Sequence, residues 1–237
     1  MLRRPAVLLS AALAVATAAT LAIVLPGAKP AGAAPAIVHG QVITIRATSA
    51  TAQTAAIEAW QRQPNGVYKR VFGPFTAHVG AAGIGAAREG STKTPAGVWW
   101  LTQSFGIAAN PGSGLAYFRV DDLDWWNGDS ASRYYNRHQR CAAGSCPFDE
   151  NQSEHLKAIG APYNYAVVMN YNTGPVVPGA GSAFFLHVTN NRPTGGCVAI
   201  PQVMLVWLMR WMRSMAHPII SIGVGDAAYA PIPKRGR

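Results

Sequence analysis

Apolar runs in this chain are short, and nearly every one is cut off by a turn former, which leaves room for many strands and few helices. Residues 37–45 alternate loosely through Val38, Val42, Ile43 and Ile45, the period-two pattern of a strand. Gln63-Pro64-Asn65-Gly66 is a turn signal between the apolar stretches 57–60 and 67–72, so two strands joined by a hairpin or short loop are expected there. Gly73-Pro74 ends that run, 80–90 is glycine-rich and loop-like, and Ala96-Gly97-Val98-Trp99-Trp100-Leu101 reads as a buried strand. The aromatic and polar mixture at 121–136 is expected to form irregular surface structure. Further strands are predicted at 166–171, 183–189 and 219–224. Helical spacing is clear in one place, 201–215, where Pro201 suits a first turn and Val203, Val206, Trp207, Arg210 and Trp211 recur at helical intervals. The pattern predicts a mainly β fold with one main α-helix.

The chain has 237 residues, about half of them hydrophobic. That length can bury a full core and favours one domain with appendages. Arg3 and Arg4, an apolar stretch 6–25, and the small-residue run Ala31-Gly32-Ala33-Ala34-Pro35-Ala36 have the layout of an export signal, with cleavage expected after Ala33 or Ala34. The competing reading is an uncleaved anchor, the one case in which this chain would hold a membrane. The expected organisation is a signal segment at 1–36, a folded domain at 37–228 and a disordered tail at 229–237. Net charge is +10, of which Arg3, Arg4 and Lys29 supply three, leaving 10 − 3 = +7 after residue 36. Such a surplus suits anionic surroundings, but no basic run or nucleic-acid motif is present, and nucleic acid is excluded as a partner. Nothing in the sequence indicates a cofactor or an oligomeric state.

Export places the domain in an oxidising compartment, where three cysteines become informative. Cys141 and Cys146 are close enough to close a small disulfide loop, leaving Cys197 as the odd thiol. The competing reading joins them with His138 and His155 in a zinc site.

His187 and Cys197 stand ten positions apart across a glycine corner. In a strand, Phe184, Leu186 and Val188 share one face while Phe185, His187 and Thr189 share the other. The segment between, with Pro193, Gly195 and Gly196, can reverse the chain and return Cys197 to the strand end. Two glycines before a nucleophile let the backbone turn sharply and aim the Gly196 and Cys197 amides at a developing oxyanion. A thiol attacks only as thiolate and needs a proton acceptor beside it. The bland alternative is a buried structural thiol and a satisfied core histidine.

Gly181-Ser182-Ala183-Phe184-Phe185-Leu186-His187-Val188, followed by Pro193-Thr194-Gly195-Gly196-Cys197-Val198-Ala199, resembles the active-site signature of the L,D-transpeptidase family, the YkuD-type catalytic domain. Arg88-Glu89-Gly90 with Lys93-Thr94-Pro95-Ala96-Gly97-Val98 resembles its substrate-side motif, and Phe105-Gly106, Tyr135-Asn136 and Tyr171-Asn172 echo further positions. The resemblance covers about residues 38 to 226. It implies a β-sandwich of mixed sheets and Cys-dependent acyl transfer on peptidoglycan stem peptides, without a metal or other cofactor. Cys197 would be the nucleophile, His187 the base, Val188 the backbone carbonyl that orients it and Gly196 an oxyanion donor, with Arg88, Thr94, Arg192 and Gly195 binding substrate. Transpeptidation giving 3-3 cross-links, carboxypeptidase trimming, and an inactive wall-binding module are the outcomes the resemblance admits. Better-known members carry a histidine immediately before Gly-Cys; Gly195 stands there, and Arg192 or Arg88 is the expected substitute charge.

Other residues receive plainer readings. Trp99, Trp100, Trp125 and Trp126 are expected to pack core and rim rather than stack sugars. Asp121, Asp122 and Asp124 are expected on a solvated turn, and His39, His78 and His217 have no assigned role.

Overall fold

The computed structural model describes residues 38–236; the export segment and its cleavage position lie outside the described residues. In chain order the strands are β1 (Gln41–Ala47), β2 (Thr54–Arg62), β3 (Tyr68–His78), β4 (Ile84–Gly85), β5 (Thr94–Pro95), β6 (Gly97–Gly106) and β7 (Ala116–Arg119). They continue as β8 (Asp124–Trp126), β9 (His138–Arg140), β10 (Glu154–His155), β11 (Ala166–Met169), β12 (Phe185–Val188), β13 (Val198–Ile200) and β14 (Ile219–Val224), with helix α1 (Gln202–Trp211) before the last. The fold is mainly β, and its sheets mix parallel and antiparallel pairings.

The main sheet runs β11-β12-β13-β3-β2-β1-β14-β6-β7, and β11 also pairs with β6. The sheet therefore closes on itself, which removes most of the open edges that would invite a foreign strand. Closure depends on the ten-residue β6. One edge of β6 takes β14 along Gly97–Trp100 and β7 along Gln103–Gly106, while the other takes β11.

Strands β11 and β12 are buried on both faces, which is why they read as continuous apolar runs rather than alternating ones. Val167, Met169, Leu186 and Val188 join the main core with Leu205, Leu208 and Met209 of α1. Ala166, Val168 and Phe185 face a second cluster containing Phe105, Trp126, Leu156, Tyr163 and Cys197.

Four expectations are corrected. The segment 121–136 is not irregular throughout: Asp124, Trp125 and Trp126 form the middle strand of a second sheet, β10-β8-β9. Asp124 is fully buried rather than on a solvated turn, because its carboxylate accepts from His138 Nε2 at 2.8 Å and Arg140 Nη1 at 2.6 Å. The helix ends at Trp211, and its buried face is Leu205, Leu208 and Met209; Val203 is 75% exposed and Trp207 41%. The tail packs down: Ile232 is fully buried with Val42, Trp60, Tyr68 and Ile219, and the Gly236 amide donates to the Tyr68 carbonyl at 2.9 Å. The apolar Ile232 anchors a segment whose flanking Pro and Lys residues read as disordered.

Candidate active site

Cys141 and Cys146 are bonded to each other, so neither thiolate is available to a metal. His138 is held by Asp124, and His155 Nε2 lies 2.9 Å from the Asp122 carbonyl oxygen, which separates the two histidines of the zinc reading. Among the described residues no group of three or more His, Cys, Asp or Glu could hold a metal ion. Cys197 is the free cysteine.

Residues 189–197 do not form a hairpin. They carry the chain back to the start of β12, and β13 then runs parallel to it, pairing Leu186 with Val198 and Val188 with Ile200. Cys197 thus lies beside the beginning of β12: its Sγ accepts from the Phe185 amide at 3.3 Å and donates to the Ala183 carbonyl at 3.3 Å. His187 and Cys197 line one cleft of about 380 Å³, but among the described residues the thiol bonds to Phe185 and Ala183 and not to the imidazole. Strand alternation separates His187 from the leucine face as expected, and the ring stands edge-on to Tyr163 at 5.6 Å between centroids.

His187 Nδ1 is 2.8 Å from the Val188 carbonyl oxygen. A carbonyl can only accept, so Nδ1 carries the proton and Nε2 keeps a lone pair. Burial lowers the His187 pKa below its usual value, partly offset by that carbonyl. Burial also pushes the Cys197 thiol well above its ordinary range, with the negative charge of Glu154 adding to the effect and the Phe185 amide opposing it. The resting pair is a neutral thiol and a neutral imidazole.

The corner before Cys197 is fixed by two threonines. Thr94 Oγ1 donates to the Cys197 carbonyl at 3.1 Å while accepting from the Gly80 amide at 2.8 Å. Thr194 Oγ1 donates to the same carbonyl at 2.7 Å and accepts from the Gly196 amide at 3.1 Å. Gly196 has φ +140°, and a Cβ there would meet Phe184 Cε1 at 2.6 Å and the Lys93 carbonyl oxygen at 2.9 Å, so no side chain fits. Two site expectations change as a result. Thr94 is fully buried beneath Cys197 and does not line the cleft, and the Gly196 amide is engaged by a hydroxyl rather than open to an oxyanion.

Arg88 and Gly195 do line the cleft. Arg192 is exposed and does not, because Pro193 and Thr194 turn inward while its own amide bonds to Asn190 Oδ1 at 3.2 Å. Sequence reasoning missed Glu154 and Tyr163, which line the cleft together with Glu89 of the quoted substrate-side motif. The Tyr163 hydroxyl donates to Glu154 Oε2 at 2.5 Å, and the Tyr135 hydroxyl donates to Glu89. Tyr135 and Asn136 brace the segment behind the thiol: the Gly181 amide donates to the Tyr135 hydroxyl at 3.0 Å, and the Ala183 amide to Asn136 Oδ1 at 3.1 Å. Asn136 Nδ2 also donates to the carbonyls of Tyr171 and Asn172, which ties both Tyr-Asn pairs to one wall. Trp126 lies in that wall with Nε1 donating to Asn136 at 2.9 Å.

No curated protein matches the chain. The YkuD family, described as the L,D-transpeptidase catalytic domain, matches residues 36–227, a span that holds the closed sheet, the cleft and both His187 and Cys197. This chain belongs to the L,D-transpeptidase catalytic-domain family.

Proposed function

We propose that the protein is an exported L,D-transpeptidase that forms 3-3 cross-links between peptidoglycan stem peptides through a Cys197 thioester. The observation that carries this reading is the 2.8 Å bond from His187 Nδ1 to the Val188 carbonyl oxygen, which leaves Nε2 as a proton acceptor in the cleft that holds the free thiol. Cys197 gives its proton to His187 Nε2, and its sulfur attacks the carbonyl between the third residue of a stem, a diamino acid, and the fourth, D-alanine. The C–N bond breaks, His187 returns the proton to the leaving amine, and D-alanine departs. The side-chain amine of a second stem then displaces the sulfur; water in its place makes the enzyme a carboxypeptidase.

Intact mass after incubation with a carbapenem tests the nucleophile. A covalent adduct is expected on the wild-type domain and not on Cys197→Ala; no adduct at neutral pH refutes the catalytic reading and leaves a wall-binding module. Muropeptide composition after loss of the protein separates cross-linking from trimming: fewer 3-3 dimers for the former, more untrimmed tetrapeptides for the latter.

A further inference from the structure

We propose that Glu154 selects the donor stem by pairing with the free, cationic side-chain amine of its diamino acid, and that this pairing also prepares Cys197 for attack. The inference rests on the acyl-transfer reading above.

The first support is a local reversal of charge. The chain has 20 Lys and Arg against 10 Asp and Glu, yet the cleft is lined by Glu89 and Glu154 with Arg88 as the single Lys or Arg among its lining residues. The second is the incomplete bonding of Glu154. Its Oε2 accepts from Tyr163, and Oε1 has no hydrogen-bond partner among the described residues. Glu154 is half-buried, and Oε1 is left open to the cleft, where a cation entering with substrate can meet it. Burial raises the Glu154 pKa to about 7, with the charge of Glu89 contributing and the Tyr163 bond opposing. The third support is position. Glu154 is fixed in β10 by pairing with Trp126 of β8, and Tyr163, which holds its carboxylate, stands edge-on to the His187 ring.

The titratable and charged groups that line the cleft with Glu154 are Tyr163 from the turn before β11, Arg88 and Glu89 from the loop before β5, His187 from β12 and Cys197 before β13. Within this set an ionised Glu154 opposes the thiolate. A substrate ammonium on Oε1 cancels that charge at the moment the acyl donor arrives. A stem whose amine is already acylated by an earlier cross-link is neutral there and leaves Glu154 unpaired, so such a stem is a poor donor.

The test compares two donor tetrapeptides, one with the side-chain amine free and one with it acetylated, using the domain with Glu154 intact and as Glu154→Gln. D-alanine release is expected to favour the free amine by roughly tenfold in kcat/KM, as a charge-assisted contact would. In Glu154→Gln that ratio falls to near one, mainly through KM for the free amine, and Glu154→Asp restores part of it. Without any donor, iodoacetamide alkylation of Cys197 at pH 8 is expected to be several-fold faster in Glu154→Gln, because a negative charge near the thiol has gone. A cooperative urea transition in each variant establishes that it is folded. An unchanged amine preference in folded Glu154→Gln overturns the inference. If neither donor releases D-alanine in the wild type, the function above fails instead, and alkylation profiles that coincide in the two proteins then overturn the coupling between Glu154 and Cys197.

Discussion

The protonation of two side chains sets how the cleft can work. Burial lowers the His187 pKa and raises that of Cys197, so at neutral pH the pair rests uncharged and must transfer its proton during attack. With the acetylated donor, which makes no use of the Glu154 charge, the acid limb of kcat/KM is therefore expected to have its midpoint below pH 6.5, since the imidazole has to be neutral to accept a proton. A midpoint above that value would assign the limb to another group. Iodoacetamide alkylation of the substrate-free protein should still be rising at pH 9, because burial pushes the Cys197 thiol well above its ordinary value of 9.0. The nucleophile's carbonyl is equally constrained. Thr194→Val removes its bond to that carbonyl and loosens the corner that sets the position of Cys197, so carbapenem acylation is expected to slow by roughly tenfold, the rate equivalent of one well-placed hydrogen bond. Thr94→Val additionally strands the buried Gly80 amide, and a stability loss of about 1–3 kcal/mol in urea titration is expected.

At the scale of elements, the helix shows what an apolar sequence leaves open. Along α1 the side chains of Val203, Leu205, Val206, Trp207, Leu208, Met209 and Trp211 are apolar on every side, so its existence was readable and its buried face was not. The outer face is covered partly by itself: Trp207 stacks on Phe72 at 5.1 Å and on Trp211 at 6.1 Å between ring centroids. Leu208→Ala should lower stability by about 2–5 kcal/mol in denaturant titration, whereas Val203→Ala, 75% exposed, should change it by less than about 0.5 kcal/mol. Equal effects would place the buried stripe on the wrong side. The longer strands were legible because turn signals bracket them, and β14 (Ile219–Val224) coincides with the expected range, whereas β4, β5, β7–β10 and β13, of four residues or fewer, carry too short a pattern to be read. The parallel pairing of β12 with β13 was not legible, since residues 189–197 contain the same Pro and Gly signals as a hairpin. His187 and Cys197 share one short segment and could be found there, as could Glu89 within its quoted motif, while Glu154 and Tyr163 reach the cleft from β10 and the turn before β11 with no local signature.

At the scale of the whole molecule, the active site places a stability cost on the fold. Burial pushes the Glu154 carboxyl up to about 7 in the folded protein, from an ordinary value of 4.5. Below pH 4.5 it is protonated in both states and has no net effect on folding. Between pH 4.5 and about 7 the unfolded chain releases this proton while the folded protein keeps it, so the unfolded state gains and stability falls as pH rises. Above about 7 the loss levels off at on the order of 3 kcal/mol, a large part of a domain's usual margin. Glu154→Gln has no proton to lose. The difference in unfolding free energy between this variant and the wild type should therefore grow in the variant's favour from pH 4.5 to about 7 and stay flat above, as measured by urea titration across that range. A difference independent of pH would mean that Glu154 is solvated like a surface carboxylate. A difference with the expected profile would show a carboxylate kept in the cleft against the stability of the fold, the condition under which a cationic substrate gains most from meeting it.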